Sequence, residues 1–330
     1  MPTVQEALDD YLREVEASRS DNTYQAYSQA ADRFAEALAD NDTPPTQTPV
    51  SDLSLEWMSW FIHSLRSYAV ATERLYITAL SGFFEHVAAE GWTEVNLPGL
   101  KKLRQRRARR EATRLPPFPQ DEIEQVLETV DQAALIPVED EREKLRNLRD
   151  RAMLFVLADT GLRVTEACAL TRGHVDWHEG HAIVLGKGDR EAVVRFSQRS
   201  LRKLRAYLRA RAELDGSQRR PLASLALFAR HDRGAGQKVL PISARSAEKI
   251  VERWVVHTLG SGARGTITPH TFRHYFVTVV LRASGGNIRL AQELARHRSI
   301  ATTERYTHLS DDELDRGYHD IFNVDAAGDS

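Results

Sequence analysis

Tyr306 sits nine residues after His297 and two before His308, in the stretch ARHRSIATTERYTHLS (295–310). A phenol titrates near 10, so only about one tyrosine in a thousand is ionised at neutral pH. Cations gathered around it would favour the phenolate, or accept charge as it attacks, and would make the side chain a nucleophile. The ordinary reading of such a stretch is a polar surface helix with its tyrosine half-buried as packing. The chemical reading therefore requires partners from elsewhere in the chain.

Three stretches offer them. In DTGLRVTEACAL (159–170), Gly161 closes one helix and Arg163 opens the next. Glu166 lies one turn on, on the same face, where it can hold the Arg163 guanidinium. Alone, such a pair is worth only a fraction of a kcal/mol. In ITPHTFRHYFVTVVL (267–281), Thr268 suits a cap and Pro269 a first helical turn. His270 and Arg273 share a face, expected to point away from a buried stripe of Phe272, Phe276, Val279, Val280 and Ala283. A histidine and an arginine at a helix start make an anion site. In LGKGDR (185–190), Lys187 stands in a glycine-bracketed hairpin turn. The spacing of a phosphate-binding loop is absent, so nucleoside triphosphates have no support. Asn287 can cap the helix ending near His297, and Ser299 the one carrying Tyr306, which places His297 at the bend between them.

These groups match the needs of phosphodiester chemistry: an in-line nucleophile, planar donors for the non-bridging oxygens, and an acid for the departing alkoxide. Arg163 and Arg273 supply the forks, His270 and His297 further donors, Lys187 the acid, and Tyr306 the nucleophile. No carboxylate cluster suits a two-metal site, and the acids of SDDELD (310–315) read as the first turn of a terminal helix. His270 and His274 have the spacing of a zinc pair, but Thr271 stands where a zinc-protease motif needs glutamate. Neither metal nor other cofactor is expected. Cys168 is the lone cysteine and reads as a core residue, which excludes an internal disulfide.

Amphipathic helices must position these groups. VQEALDDYLREVEAS places Val4, Leu8, Tyr11, Leu12 and Val15 on one face. The next, with Asp21 or Asn22 as its expected cap, carries Tyr24, Tyr27, Ala31, Phe34 and Leu38. Two more follow, around SLEWMSWFIHSLRS and AVATERLYITALSGFFEHVAAEG, for a four-helix bundle over 1–100. A basic linker is expected over 101–118. Residues 119–330 read as a mostly helical second domain with one hairpin, HAIVLGKGDREAVVRFS (181–197).

Charge divides along the same lines. Residues 1–100 hold 5 Lys and Arg against 16 Asp and Glu, a balance of −11, and residues 101–330 hold 40 against 31, a balance of +9. The seam KKLRQRRARREATR (101–114) has eight basic residues and one acidic. Lys101, Lys102, Arg104, Arg106, Arg107, Arg109 and Arg110 are accordingly candidate contacts for a polyanion, against the alternative of a merely solvated linker. The first residues lack the basic and apolar regions of a signal peptide, and no apolar run approaches a membrane span, so a cytoplasmic protein is expected, nucleoid-associated where the polyanion is DNA.

The order Arg163, Lys187, His270-x-x-Arg273, His297, Tyr306, with the strings TGLRVTEACAL, GKGDR, TPHTFRHYFVT and HRSIATTERYTH, resembles the tyrosine recombinase (phage integrase) family, in its Xer-like two-domain form. Single motifs here are weak; six roles in this order are specific. The resemblance implies a mainly α fold: a SAM-like core-binding bundle followed by a mixed α/β catalytic domain with a small antiparallel sheet, the DNA breaking-rejoining fold. It implies attack by Tyr306 on a DNA phosphate, a 3′-phosphotyrosyl bond, and strand exchange through a Holliday junction without ATP or metal. Arg163, Arg273 and His297 would hold the phosphate, Lys187 would be the general acid, His270 would assist proton transfer, and Glu166 would buttress Arg163. Double-stranded DNA would be the partner, gripped by a homotetramer on two duplexes, with an accessory bending or directionality protein possible. A type IB topoisomerase-like nicking-closing enzyme and a non-catalytic DNA-binding protein of the same fold are the alternatives. Two departures stand out: Arg296 where relatives often carry glycine, and Phe272 where leucine is common. The acidic bundle is unusual for a DNA clamp, so its acidic face is expected to point away from DNA or toward a partner subunit.

Overall fold

The computed structural model describes residues 1–107, 118–185 and 191–297, and the chain divides into two compact units, Met1–Leu115 and Pro116–Ser330. In the first unit, helix α1 (Val4–Ser18) opens on a reciprocal cap. The Thr3 hydroxyl accepts from the Glu6 N–H (3.3 Å), and the Glu6 carboxylate accepts from the Thr3 N–H (2.8 Å). Its buried face is Val4, Ala7, Leu8, Tyr11 and Val15, with Leu12 packed beside it. Helix α2 (Asp21–Ala39) starts one residue before expectation, with Ser20 as its cap rather than Asp21 or Asn22. Helices α3 (Leu55–Ser64) and α4 (Val70–Ala89) complete the expected four. Phe34, Phe61, Phe83 and Phe84 meet largely edge-on at their centre, the geometry aromatic quadrupoles favour.

A fifth helix, α5 (Leu97–Arg107), was not anticipated. Asn96 accepts from the Gly99 N–H (2.8 Å) at its start, Leu100 is buried in the bundle core, and Leu103 packs against it. The segment expected to begin a linker at 101 therefore begins inside a helix. Lys101, Lys102 and Arg106 are exposed on it and Arg104 is half-buried, whereas Arg109 and Arg110 lie outside the described residues.

The second unit is built around α7 (Glu141–Thr160), which packs against α6 (Gln120–Ala133), α9 (Gln198–Ala210) and α12 (Pro269–Ala283). Enclosed on several sides, α7 buries every residue from Arg149 to Ala158. Its buried charges are paired, as such charges must be: Arg149 donates to Asp150 (2.6 and 2.9 Å), and Asp150 also accepts from the Trp254 indole (3.1 Å). Short helices α8 (Val164–Ala169) and α10 (Ala212–Gly216), then α11 (Ala244–Leu259) and α13 (Ile288–Ala295), complete the described helices. Strands β1 (Val175–Asp176), β2 (His181–Leu185) and β3 (Glu191–Arg195) form an antiparallel sheet in that order, with Ile183 opposite Val193. Ala182, Val184 and Val194 face the core while Ile183 and Val193 face outward, the alternation a half-covered sheet requires. The expected hairpin is thus present in its strands; its turn, with Lys187, lies outside the described residues. The architecture is mainly α with one small antiparallel sheet. Among the described residues no helix is long and apolar enough to cross a membrane.

Candidate active site

Three segments converge at one end of the second unit, and their hydrogen bonds show how. Helix α7 stops at Gly161, whose φ of 59° is the left-handed turn glycine adopts without strain. That turn delivers Arg163 to the cap of α8. One oxygen of Glu166 accepts from the Arg163 N–H (3.0 Å), and the other from its guanidinium (2.8 Å). The pairing anticipated from spacing is present. The Arg163 side chain remains 48% exposed, with guanidinium edge available to a ligand, while Glu166 is only 7% exposed.

The second segment is α12. Thr268 caps it by accepting from the Thr271 N–H (3.4 Å), and Pro269 fills the first turn, as expected. His270 is exposed there, its ring edge-on to His274 with centroids 4.3 Å apart. The expectation for Arg273 needs correction: it does not point away from the buried side but is itself buried, 3% exposed. One guanidinium nitrogen donates to the Gly161 carbonyl and another to the Ala295 carbonyl. The predicted stripe is corrected with it. Phe272 and Phe276 are buried and Val280 is half-buried, but Val279 and Ala283 are exposed, and Tyr275, Val277 and Leu281 take their places. The helix touches α6, α7, α11 and α13, so more than one of its faces is covered.

The third segment is the end of α13, which Asn287 caps by accepting from the Leu290 N–H (3.0 Å). The chain then turns at Arg296, φ 58°, and presents His297, whose N–H donates to the Gln292 carbonyl (3.0 Å). Arg296 donates to Glu166 (3.0 Å). Sequence reading noted Arg296 only as a departure and missed this contact. Arg273 thus ties segment 161 to segment 295, and Glu166 ties Arg163 to Arg296.

The electrostatics follow from this crowding of cations. Partial burial and the charges of Arg273 and Arg163 push His270 below the usual imidazole range. His297 falls to about 4, first through burial and then through Arg273, Arg163, His270 and Arg296. His274 likewise falls to about 4, through burial and its neighbours His270, His297 and Arg273. Burial alone would raise Glu166, but the Arg163 N–H, Arg296 and the Arg163 guanidinium outweigh it and hold the carboxyl below its ordinary value. Cys168 is buried and its thiol is pushed up to about 11, chiefly by desolvation, consistent with an inert core residue. Among the described residues no three His, Cys, Asp or Glu side chains are grouped as metal ligands. Such a site can bind a doubly coordinated phosphate oxygen pair through Arg163 and polarise it through the buried charge of Arg273. Lys187 and Tyr306 lie outside the described residues.

Gly161→Ala tests how the site is positioned. A β-carbon there would sit 2.5 Å from Phe276 Cδ1, on a left-handed backbone that disfavours any side chain. We expect a loss of about 2–4 kcal/mol, from backbone strain and overpacking together. Urea unfolding checks it; unchanged stability would mean that the turn is freely remodelled.

The chain is similar in fold and in sequence to known proteins. The fold is shared with the XerH site-specific recombinase in its post-cleavage complex with palindromic difH substrate (TM-score 0.68, 20% identity, 96% of this chain and 88% of that one). It is shared also with a lambda integrase fragment bound to a COC′ core site (TM-score 0.62, 19% identity, 92% and 95%). Residues 118–313 match the profile of the phage integrase family, and the chain belongs to that family. Tyrosine recombinase XerC of Thermodesulfovibrio yellowstonii is 30% identical over 246 residues, 74% of this chain and 73% of the relative. XerC of Pediococcus pentosaceus is 28% identical over 310 residues, 93% and 94%. XerC of Pelobacter propionicus is 36% identical over a shorter match, 56% of each chain.

Proposed function

We propose that this chain is a site-specific DNA recombinase of the Xer type. The observation that carries the reading is the cross-linking of three segments remote in sequence by Arg273 and Glu166, which brings Arg163, Arg273, His270 and His297 into one cationic site. Such a site is suited to the spread negative charge of a phosphodiester under attack.

Tyr306 attacks the scissile phosphorus. The phenolic proton passes to His270, whose imidazole stands exposed at the start of α12. A bond forms between the tyrosine oxygen and the 3′-phosphate, and the bond to the 5′-oxygen breaks. Lys187 gives its proton to the departing 5′-oxygen, which leaves as a 5′-hydroxyl. Arg163 and Arg273, with His297, hold the non-bridging oxygens throughout. The phosphodiester energy is kept in the phosphotyrosyl bond, so the reverse attack by a 5′-hydroxyl from a second duplex reseals the strands without ATP. The exchange proceeds on a homotetramer holding two duplexes, with Lys101, Lys102, Arg104, Arg106, Arg107, Arg109 and Arg110 contacting the DNA backbone. A bending or directionality protein would set the outcome at particular sites. The test is exchange between two duplexes bearing the chain's own target, in EDTA and without ATP. Recombinant joints are expected; relaxation of supercoils without joints would reassign the enzyme to nicking and closing.

The histidines give this reading a pH signature. His297 is neutral in the free protein because it is partly buried and arginines surround it, and a bound phosphate opposes their charge and raises its pKa. DNA binding between pH 5 and 6 should therefore take up protons and tighten as pH falls, read by calorimetry in buffers of different ionisation heat. Binding that releases protons there would contradict it. The free protein behaves oppositely. A histidine titrating near 4 when folded and near 6.5 when unfolded contributes stability above pH 6.5 that is lost as pH falls through 4.

A further inference from the structure

Arg296 occupies a backbone conformation that disfavours it. Only Arg296 and Asp42 among the described non-glycine residues have positive φ, and 58° with ψ of 43° is the left-handed helix end where glycine is usual. A long cation at a helix end would ordinarily extend into water. Here the side chain is drawn inward to 12% exposure, its Nη2 is 3.0 Å from Glu166, and its Nε is buried without a hydrogen-bond partner. The carboxylate it reaches is the one that grips Arg163 through both backbone and guanidinium. Charge counting shows what this does. Glu166 with Arg163 alone is a pair of zero net charge, which attracts phosphate less than an unpaired guanidinium would. Adding Arg296 on the far side leaves the trio with one positive charge, and the exposed member is Arg163.

We propose that Arg296 is a positioning residue: through Glu166 it fixes the Arg163 guanidinium toward the scissile phosphate and restores the positive charge that Glu166 would otherwise cancel. The inference deepens the recombinase reading and rests on it for its effect on rate. Arg296 does not touch the substrate. Its backbone lies between Ala295, whose carbonyl takes the Arg273 bond, and His297, so the same residue also keeps the third segment in register.

The test separates positioning from simple structural support. In Arg296→Gly the backbone strain is relieved, so thermal stability should be unchanged or higher, while cleavage of bound DNA slows about 10- to 100-fold, the scale of a misplaced phosphate contact. DNA affinity, spread over many backbone contacts, should change less than about threefold. Arg296→Lys should recover part of the rate. In a Glu166→Gln background the effect of Arg296→Gly should fall to about twofold or less, because the route has been cut. Wild-type cleavage by Arg296→Gly, or an undiminished loss in the Glu166→Gln background, would overturn the proposal. A readout free of catalysis is the arginine side-chain nitrogen spectrum of the full chain. Slow guanidinium rotation of Arg163 in the wild type should become averaged in Arg296→Gly; an unchanged spectrum would overturn the positioning role. If the wild type forms no covalent adduct, the recombinase reading fails, and the spectrum still decides whether Arg296 orders Arg163.

Discussion

Tyr306→Phe is expected to bind DNA as tightly as the wild type and to form no covalent adduct, a loss of at least ~10⁴-fold in cleavage. The change removes one oxygen and leaves the ring. Affinity comes from cations along the duplex and should not register it. In the proposed mechanism the phenol is the nucleophile and has no substitute, and uncatalysed phosphodiester cleavage is among the slowest reactions known. Water admitted in its place would give a free 3′-phosphate rather than a protein-linked one. Denaturing gels of a nicked duplex separate the two, and an adduct of wild-type yield in the variant would remove Tyr306 from its role.

Arg273→Ala should be the most damaging substitution at the described site, because Arg273 serves two functions. It is 3% exposed, and its guanidinium holds the Gly161 and Ala295 carbonyls. Truncation leaves two buried acceptors unpaired and a cavity between α12 and its neighbours, at a cost of about 3–5 kcal/mol. It also withdraws a preorganised positive charge, worth a further ~10²–10³-fold in rate by analogy with removal of an oxyanion donor. Arg273→Lys separates the effects. It keeps charge but cannot span both carbonyls with a planar fork, so stability should recover less than rate. Urea unfolding and single-turnover cleavage read them independently. A stable Arg273→Ala variant that cleaves normally would contradict both parts.

Local features of the site were legible in the sequence, and tertiary ones were not. Gly161, the Arg163–Glu166 pair, the Thr268–Pro269 start of α12 and the Asn287 cap all depend on residues within one helical turn, where spacing fixes geometry. The burial of Arg273 was misjudged because polarity argues for exposure unless acceptors from distant segments converge, and its two acceptors lie 112 and 22 residues away. Arg296 was read as a missing glycine because its partner Glu166 is 130 residues distant. Helix α5 was hidden by its charge. Leu97, Leu100 and Leu103 recur every third residue behind the Asn96 cap, a signal the run of lysines and arginines obscured. On α12 a single stripe was sought where several neighbours cover the helix, so the exposed Val279 and Ala283 were taken for core.

The most direct measurement is to recover the DNA captured covalently by this protein in its own host, trim it with nuclease and protease, and identify the linked amino acid by mass spectrometry. A single peptide containing Tyr306, carrying a nucleotide through its 3′-phosphate and matched by a free 5′-hydroxyl on the broken strand, is the predicted result. Linkage through another residue, attachment to a 5′-phosphate, or captured DNA with no covalent bond would contradict it.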